Sequence, residues 1–455
     1  MQPDEDFLPF MQTHSDSLLR RLFSDYGMVL VLLLLILVVS ILTLEPQNLT
    51  GREAGAATAD QILAAYGQQA VVAIAVPAGA ADRQYLEGVK ARIEQAGGQI
   101  AGAVSGSPAQ ARQMLQRAAQ SGVAINALAV TGKSQEWTVL DSVRQDGQIR
   151  FFVPQVRWWP NFLKAGNLLG VANQTAIYAI IAVGMTMVII LREIDLSVGS
   201  IVALSSVTVA GYLRYFAGGS SAGAGALTIA CLLALLVSAA AGAVNGVLLT
   251  VARLPSFIVT LAMMLVARGL AQRLSNQESI GDVWLPPAFR TLGGGSLAGL
   301  PNPVWIMIVL YPAAHFMMSR TAFGRKLYAI GGNPEAARLC GIRLQQVKFL
   351  VFTLSGALAG LGGLLLSSRL NCGDPKYGDM YELEVIAAVV VGGTSLMGGE
   401  GRMLGTLIGA FIIAVIRNGM NLLGIESSSQ NIVLGAVLAA AVLADQLKRR
   451  WQSTR

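Results

Sequence analysis

YAIGGNPEAARLCGI, Tyr328 to Ile342, is a polar, helix-favouring island between two long apolar runs. Upstream, PVWIMIVLYPAAHFMMS (303–319) is almost wholly apolar. Downstream, FLVFTLSGALAGLGGLLL (349–366) is uncharged and long enough to cross a hydrocarbon core of about 30 Å. The island therefore lies at a membrane surface. With its flanks it carries Arg320, Arg325, Lys326, Arg338, Arg343 and Lys348. A Lys/Arg excess in a short loop marks that loop as cytoplasmic, within reach of cytoplasmic partners.

Composition agrees with a membrane reading. The 455 residues are 54% hydrophobic and only 13% charged, against roughly 25% charged in a soluble domain. A polytopic, all-α membrane protein is expected, in contact with lipid. The net charge of +7 gathers in cytoplasmic-looking loops and at the C-terminus, so positive-inside bias accounts for it and no nucleic-acid partner is expected. The 50 glycines suit close helix packing. Cys231, Cys340 and Cys372 suggest no disulfide pair. With only His14 and His315, no metal centre or resident cofactor is expected either.

Residues 1–26 are polar and end near Arg20 and Arg21, before an apolar run from Met28 to Leu44. This predicts a cytoplasmic N-terminal segment and a first span over 27–44; a cleaved signal peptide is disfavoured by the long acidic leader. From 45 to 164 both charge signs mix and a soluble, extracytoplasmic α/β domain is expected. VVAIAV (71–76), QIAGAV (99–104) and INALAV (125–130) read as strands, and 82–98 and 107–122 as helices. That βαβαβ order implies a small parallel sheet. FFVPQV (151–156) offers a further strand, and Trp158 and Trp159 suit an interfacial belt.

The transmembrane region resumes over 165–447. Nine more spans are read at 170–191, 194–216, 225–252, 255–275, 303–319, 347–368, 383–398, 402–423 and 428–446, making ten, followed by a basic cytoplasmic tail at 448–455. Alternation from an inside N-terminus puts Arg192, Arg253, the basic island and Arg402 on one side, in agreement with the charge rule. The segment 383–398 is short and glycine-ended, so a re-entrant form is an alternative.

Several stretches could carry function. LREIDLSVGS (191–200) places Arg192, Glu193 and Asp195 between apolar runs, either as a turn whose Asp and Ser cap the next helix or as part of a transport path. VVGGTSLMGGEGRMLGT (390–406) is a glycine-rich joint centred on Thr394 and Ser395. Asn245, Asn418 and Asn421 are polar groups inside apolar helices. A candidate path therefore comprises Asp195, Ser197, Asn245, Thr394, Ser395, Asn418 and Asn421. The pairs Gly356/Gly360, Gly405/Gly409 and Gly242/Gly246 are read as packing signals. INALAVTGKS lacks the first glycine of a phosphate-binding loop, so any ATP must be hydrolysed by another chain.

Three stretches, IAVGMTMVIILREIDLSVGSIVALSS (181–206), GRKLYAIGGNPEAARLCGIRLQQVKFLVFTLSGALAGLGGLLLSSR (324–369) and VIAAVVVGGTSLMGGEGRMLGTLIGAFIIAVIRNGMNLLGI (385–425), resemble the permease subunit of ribose-type ABC sugar importers. The resemblance implies a homo- or heterodimeric core in a bacterial inner membrane. It also implies an extracytoplasmic solute-binding protein and a cytoplasmic ATPase subunit. The family's ATPase-coupling segment would fall on Gly331, Asn333, Pro334, Glu335, Ala336, Ala337 and Gly341. Such a chain is no enzyme, and its solute cannot be named from sequence. Two features depart from the pattern. Arg192 and Glu193 stand where the family usually has glycines, and the 45–164 domain is an addition similar in style to half a lobe of a sugar-binding protein. A ligand sensor built on that domain, or an ion-coupled carrier, are the rival readings.

Overall fold

The computed structural model describes residues 27–145 and 147–453; the expected N-terminal segment 1–26 lies outside them. The chain divides into two compact units, Leu44–Asn161 and the remainder.

In the Leu44–Asn161 unit, β1 (Leu44–Asn48) is followed by α2 (Gly51–Tyr66), β2 (Val71–Pro77), α3 (Ala80–Gln95), β3 (Gln99–Gly106), α4 (Pro108–Gln120), β4 (Ala127–Val130), β5 (Arg150–Phe152) and β6 (Val156–Pro160). The sheet runs β3-β2-β4-β5 and is parallel throughout. Both faces are covered, which explains why β2 is apolar at every position. Val72, Ile74 and Val76 pack against α2 and α3, and Ala73 and Ala75 against α4 and Leu140. α4 starts with a capping box between Ser107 and Gln110 and with Pro108 in its first turn. The stretch expected as one strand at 151–156 is divided, because β5 joins the parallel sheet while β6 pairs antiparallel with β1. Lys133 and Ser134 fall in a four-residue helical turn whose Ser134 hydroxyl donates to Ala75 O at 2.7 Å, a structural tie.

The other unit is helical. It contains α1 (Gly27–Leu42), α5 (Ala165–Ile190), α6 (Val198–Phe216), α7 (Ala224–Thr250), α8 (Ser256–Leu274), α9 (Pro287–Gly294), α10 (Asn302–Arg320), α11 (Ala322–Gly332), α12 (Pro334–Leu339), α13 (Leu344–Leu370), α14 (Tyr381–Val391), α15 (Met403–Leu422) and α16 (Ser427–Ser453). Of these, α5, α7, α8, α13 and α15 are long and apolar enough to cross a membrane. The α10–α11 pair, bent by 68°, would make a sixth. The protein is thus mostly helical and built to pass the membrane repeatedly.

α13 is the centre. Glycines on it and on its neighbours let the backbones approach: a Cβ on Gly242 of α7 would lie 2.2 Å from Phe352 O, one on Gly363 of α13 2.4 Å from Val202 O of α6, and one on Gly184 of α5 2.8 Å from Ser355 Cα. Dispersion between closely approached backbones holds such helices together where lipid removes the hydrophobic drive.

The segment 383–398 is not one continuous helix. α14 has 11 residues, about 16 Å of helix, and Gly393 ends it at φ 82°. There Gly393 N donates to Val390 O and Thr394 N to Val389 O, a Schellman closure. At its other end the chain before α14 runs beside α6, where a Cβ on Gly378 would meet Gly199 O at 2.1 Å. The expected span 194–216 likewise begins later, at Val198.

Replacing Gly242 by Leu should lower stability by on the order of 3 kcal/mol, because the backbone of α13 cannot retreat cheaply. Gly269, with nothing within 4 Å of its Cβ position, should accept Leu without a fall in the midpoint. Thermal unfolding of the two detergent-solubilised variants, followed by intrinsic fluorescence, compares them directly.

Candidate functional site

The island Tyr328–Ile342 is two helices meeting at Asn333. Asn333 Oδ1 accepts from Glu335 N and Ala336 N, both at 3.1 Å, and so caps α12. Pro334 occupies the first helical position, where no N–H is needed. Gly341, at φ 77°, closes the other end with Gly341 N donating to Arg338 O and Ile342 N to Ala337 O. A six-residue helix is therefore sealed at both ends. It buries Ala337 and turns Glu335, Arg338 and Leu339 outward, with Leu339 88% exposed.

Behind it, α11 is seated on the glycine joint. A Cβ on Gly331 would lie 1.9 Å from Ile190 O and 2.6 Å from Gly399 N. Gly399 N donates to Ile190 O at 2.9 Å, and the Tyr328 hydroxyl donates to Gly401 O at 2.8 Å. The end of α5, the end of α11 and the joint thus meet backbone to backbone. Arg192 adds a side-chain strut, its Nη2 donating to Gly332 O at 2.7 Å. Its φ of 64° explains why glycine would suit this position. Glu193 pairs with Lys348 of α13.

The candidate path residues fall in three places. Asp195, Ser197 and Asn245 form a fully buried network. Asp195 Oδ1 accepts from Ser197 N at 2.9 Å and Ser197 Oγ at 2.6 Å, Asp195 Oδ2 accepts from Ser355 Oγ at 3.0 Å, and Ser197 Oγ accepts from Asn245 Nδ2 at 3.0 Å. The carboxylate, not the Ser197 hydroxyl, takes the N–H at the start of α6. Thr394 and Ser395 are buried inside the joint, where Met397 N donates to Ser395 Oγ. Asn418 and Asn421 lie on α15, the first hydrogen-bonded to Asn167 and the second accepting from Gln430. Sequence reading passed over Arg417 beside them, which pairs with the buried Glu384. A basic residue seven positions after Ala410 in an apolar run was the available signal.

The family described as a branched-chain amino acid transport system permease component matches residues 167–442. The chain belongs to this permease family. The ribose import permease of Escherichia coli is 44% identical over 292 residues, which is 64% of this chain and 88% of that protein. The L-arabinose ABC transporter permease of Azospirillum brasilense is 39% identical over 290 residues, 64% of this chain and 83% of the relative. The xylose transport system permease of Escherichia coli is 36% identical over 348 residues, 64% and 87% of the two chains. No solved structure matches. The permease is accordingly a multi-pass inner-membrane transport subunit and not an enzyme. The Leu44–Asn161 unit lies outside the matched segment.

Two neighbouring glycines test the junction. Gly331→Ala should separate α11 from the joint and expose the 392–401 loop, whereas Gly332→Ala, with nothing within 4 Å of its Cβ position, should not. Limited proteolysis of the purified permease variants reads the difference as faster cleavage in the first alone.

Proposed function

We propose that the permease is the membrane-spanning subunit of an ABC importer for a sugar, and that α12 is the surface through which a cytoplasmic ATPase subunit drives it. Two permease chains, identical or not, would enclose the path, supplied by an extracytoplasmic solute-binding protein. The observation that carries the coupling assignment is the exposure of Leu339 on a helix sealed at both ends and following directly on α11, which is seated on the joint. An apolar side chain held out on a rigid post suits insertion into a groove of another protein. The relatives named for ribose, L-arabinose and xylose favour a five-carbon sugar.

Under this reading the N-terminus and the basic island are cytoplasmic and ten passes alternate across the bilayer. α14 shares one pass with the joint at 392–402. The Leu44–Asn161 unit then lies on the outer side, where it would serve as a platform for the binding protein. Motion of α12 would reach α5 and the joint through Gly331, Tyr328 and Arg192, since rigid backbone contacts transmit displacement without slack.

Charge reversal at Glu335, by Glu335→Lys, should leave membrane insertion intact and cut uptake of labelled pentose by tenfold or more, about 1.4 kcal/mol of lost docking. Reconstituted vesicles holding the permease, its ATPase and its binding protein supply the assay. Unchanged uptake and unchanged stimulated ATP hydrolysis would remove α12 from the coupling surface.

A further inference from the structure

The four-stranded sheet of the Leu44–Asn161 unit has two edges of opposite character. At one, β5 has three residues, begins with Arg150 and is soon followed by Pro154, a short and charged form that resists further pairing. At the other, β3 has eight residues, QIAGAVSG, with neither a charge nor a proline. Its one irregularity is a register shift opposite Val72 and Ala73, which leaves Gly102–Gly106 in unbroken register with β2. A strand bonded on one side only turns alternate N–H and C=O groups outward, and among the described residues no further strand takes them up from β3.

The flanking helices decide what kind of partner fits. α3 and α4 lie on opposite faces of the sheet. One flank of α3 meets α2: a Cβ on Gly88 would lie 2.2 Å from Arg52 O, and Arg92 Nε pairs with Asp60 at 2.7 Å. Tyr85, Val89 and Ile93 are buried against the sheet. At about 100° per residue, the flank turned away from α2 and over the β3 edge carries Arg83, Glu87, Lys90 and Glu94, all exposed. On the other face, β3 and α4 border an open groove lined by Ala101, Ala103, Gln110, Met114 and Arg117, so the edge is uncovered from that side too.

The signs along the α3 flank alternate, and their order is self-complementary. Run antiparallel to a second copy, Arg83 meets Glu94 and Glu87 meets Lys90, each pair occurring twice. Run parallel and in register, every charge would meet its like. A second copy about a two-fold axis matches such an order by construction, whereas an unrelated protein would have to match it residue by residue.

We infer that β3 pairs antiparallel with β3 of a second, identical permease chain, joining two four-stranded sheets into one of eight strands. The presence of two permease chains rests on the import reading above; the choice of edge and of partner rests on this unit alone. Main-chain hydrogen bonds supply the attraction. The α3 charges fix the register, since exposed ion pairs add little affinity but disfavour wrong alignments. The two-fold axis also sets a condition on the pairing. It preserves the faces of the sheet, so the central residue of the paired strands stands opposite its own copy.

The test uses the full permease with Cys231, Cys340 and Cys372 replaced by Ser and one new cysteine, at Ala103, Val104 or Ser105 of β3, or at Arg150 on the opposite edge. A short thiol–thiol crosslinker is applied in native membranes. At least one of the three β3 positions should join two permease chains, and Arg150→Cys should not. On that background, Glu87→Lys alone and Lys90→Glu alone each set like charges opposite one another, and each should cut the yield by about threefold or more at low salt. Chains carrying the two changes separately, co-expressed with different tags, should crosslink to each other at the original yield. A fault confined to one chain would not be cured by the other, so this rescue reads the contact itself. No crosslink at β3, equal crosslinking through Arg150→Cys, a product joining β3 to a different protein in place of a second copy, a yield unmoved by either charge change, or mixed chains no better than the single variants would each overturn the pairing. Pentose uptake by the wild-type complex separates the two readings. Uptake without crosslinking removes the pairing and keeps the importer, and crosslinking without uptake does the reverse.

Discussion

The contact on which the helical unit depends for any mechanical function is the meeting of Gly331 with the carbonyl of Ile190 and the amide of Gly399. No side chain can be added at Gly331 without moving one of three main-chain segments. α11 is therefore fixed to the end of α5 and to the joint by steric necessity, and Tyr328 and Arg192 add directed hydrogen bonds to it. The helix that reaches outward, α12, is only six residues long and could not hold a shape alone. Its caps and this junction give it rigidity. Under the proposed coupling role, such a rigid, exposed post would pass a partner's displacement on to α5 and the joint.

Much of this architecture was readable from sequence because it rests on local signals. Lys/Arg bias marked the island, Ser107 and Pro108 marked the start of α4, and small residues marked the α7–α13 contact, where Gly242 and Gly356 meet. What escaped notice depended on tertiary context. α2 is rich in alanine and weakly amphipathic, so periodicity did not reveal it, although its small residues let it approach α3 closely: a Cβ on Gly55 would lie 2.1 Å from Tyr85 O. The segment 383–398 was read as a span with a re-entrant alternative because it is short and glycine-ended, but the course of the chain before it is set by Gly378 lying against Gly199, a pairing distant in sequence that no local pattern carries.

The same difference separates the candidate site residues. Asp195, Asn245, Asn418 and Asn421 were singled out by residue type alone; Asp195 and Asn245 are fully buried, whereas Asn421 is exposed. Their grouping was not legible. Asp195 joins three elements through Ser197, Asn245 and Ser355, and so ties the break between α5 and α6 to α7 and α13. Asn418 and Asn421 belong instead with Glu384 and Arg417, which lie on another pair of helices.

The two clusters hold their charged groups by different means. The Asp195 carboxylate takes three short hydrogen bonds from fixed donors within the fold. With those bonds made, displacing a donor would leave a buried charge unmet, so the carboxylate resists change, although Asn245 Oδ1 in the same network is buried with no hydrogen-bond partner among the described residues. The Arg417–Glu384 pair is held too, and Arg417 Nε is left without a hydrogen-bond partner among the described residues. Both clusters tie helices across the bundle: Asp195 joins the start of α6 to α13 and, through Ser197, to Asn245 of α7, while Arg417 joins α15 to α14. In surroundings this apolar, a polar group is retained where a neighbouring helix answers it, so each such contact fixes which helices lie together.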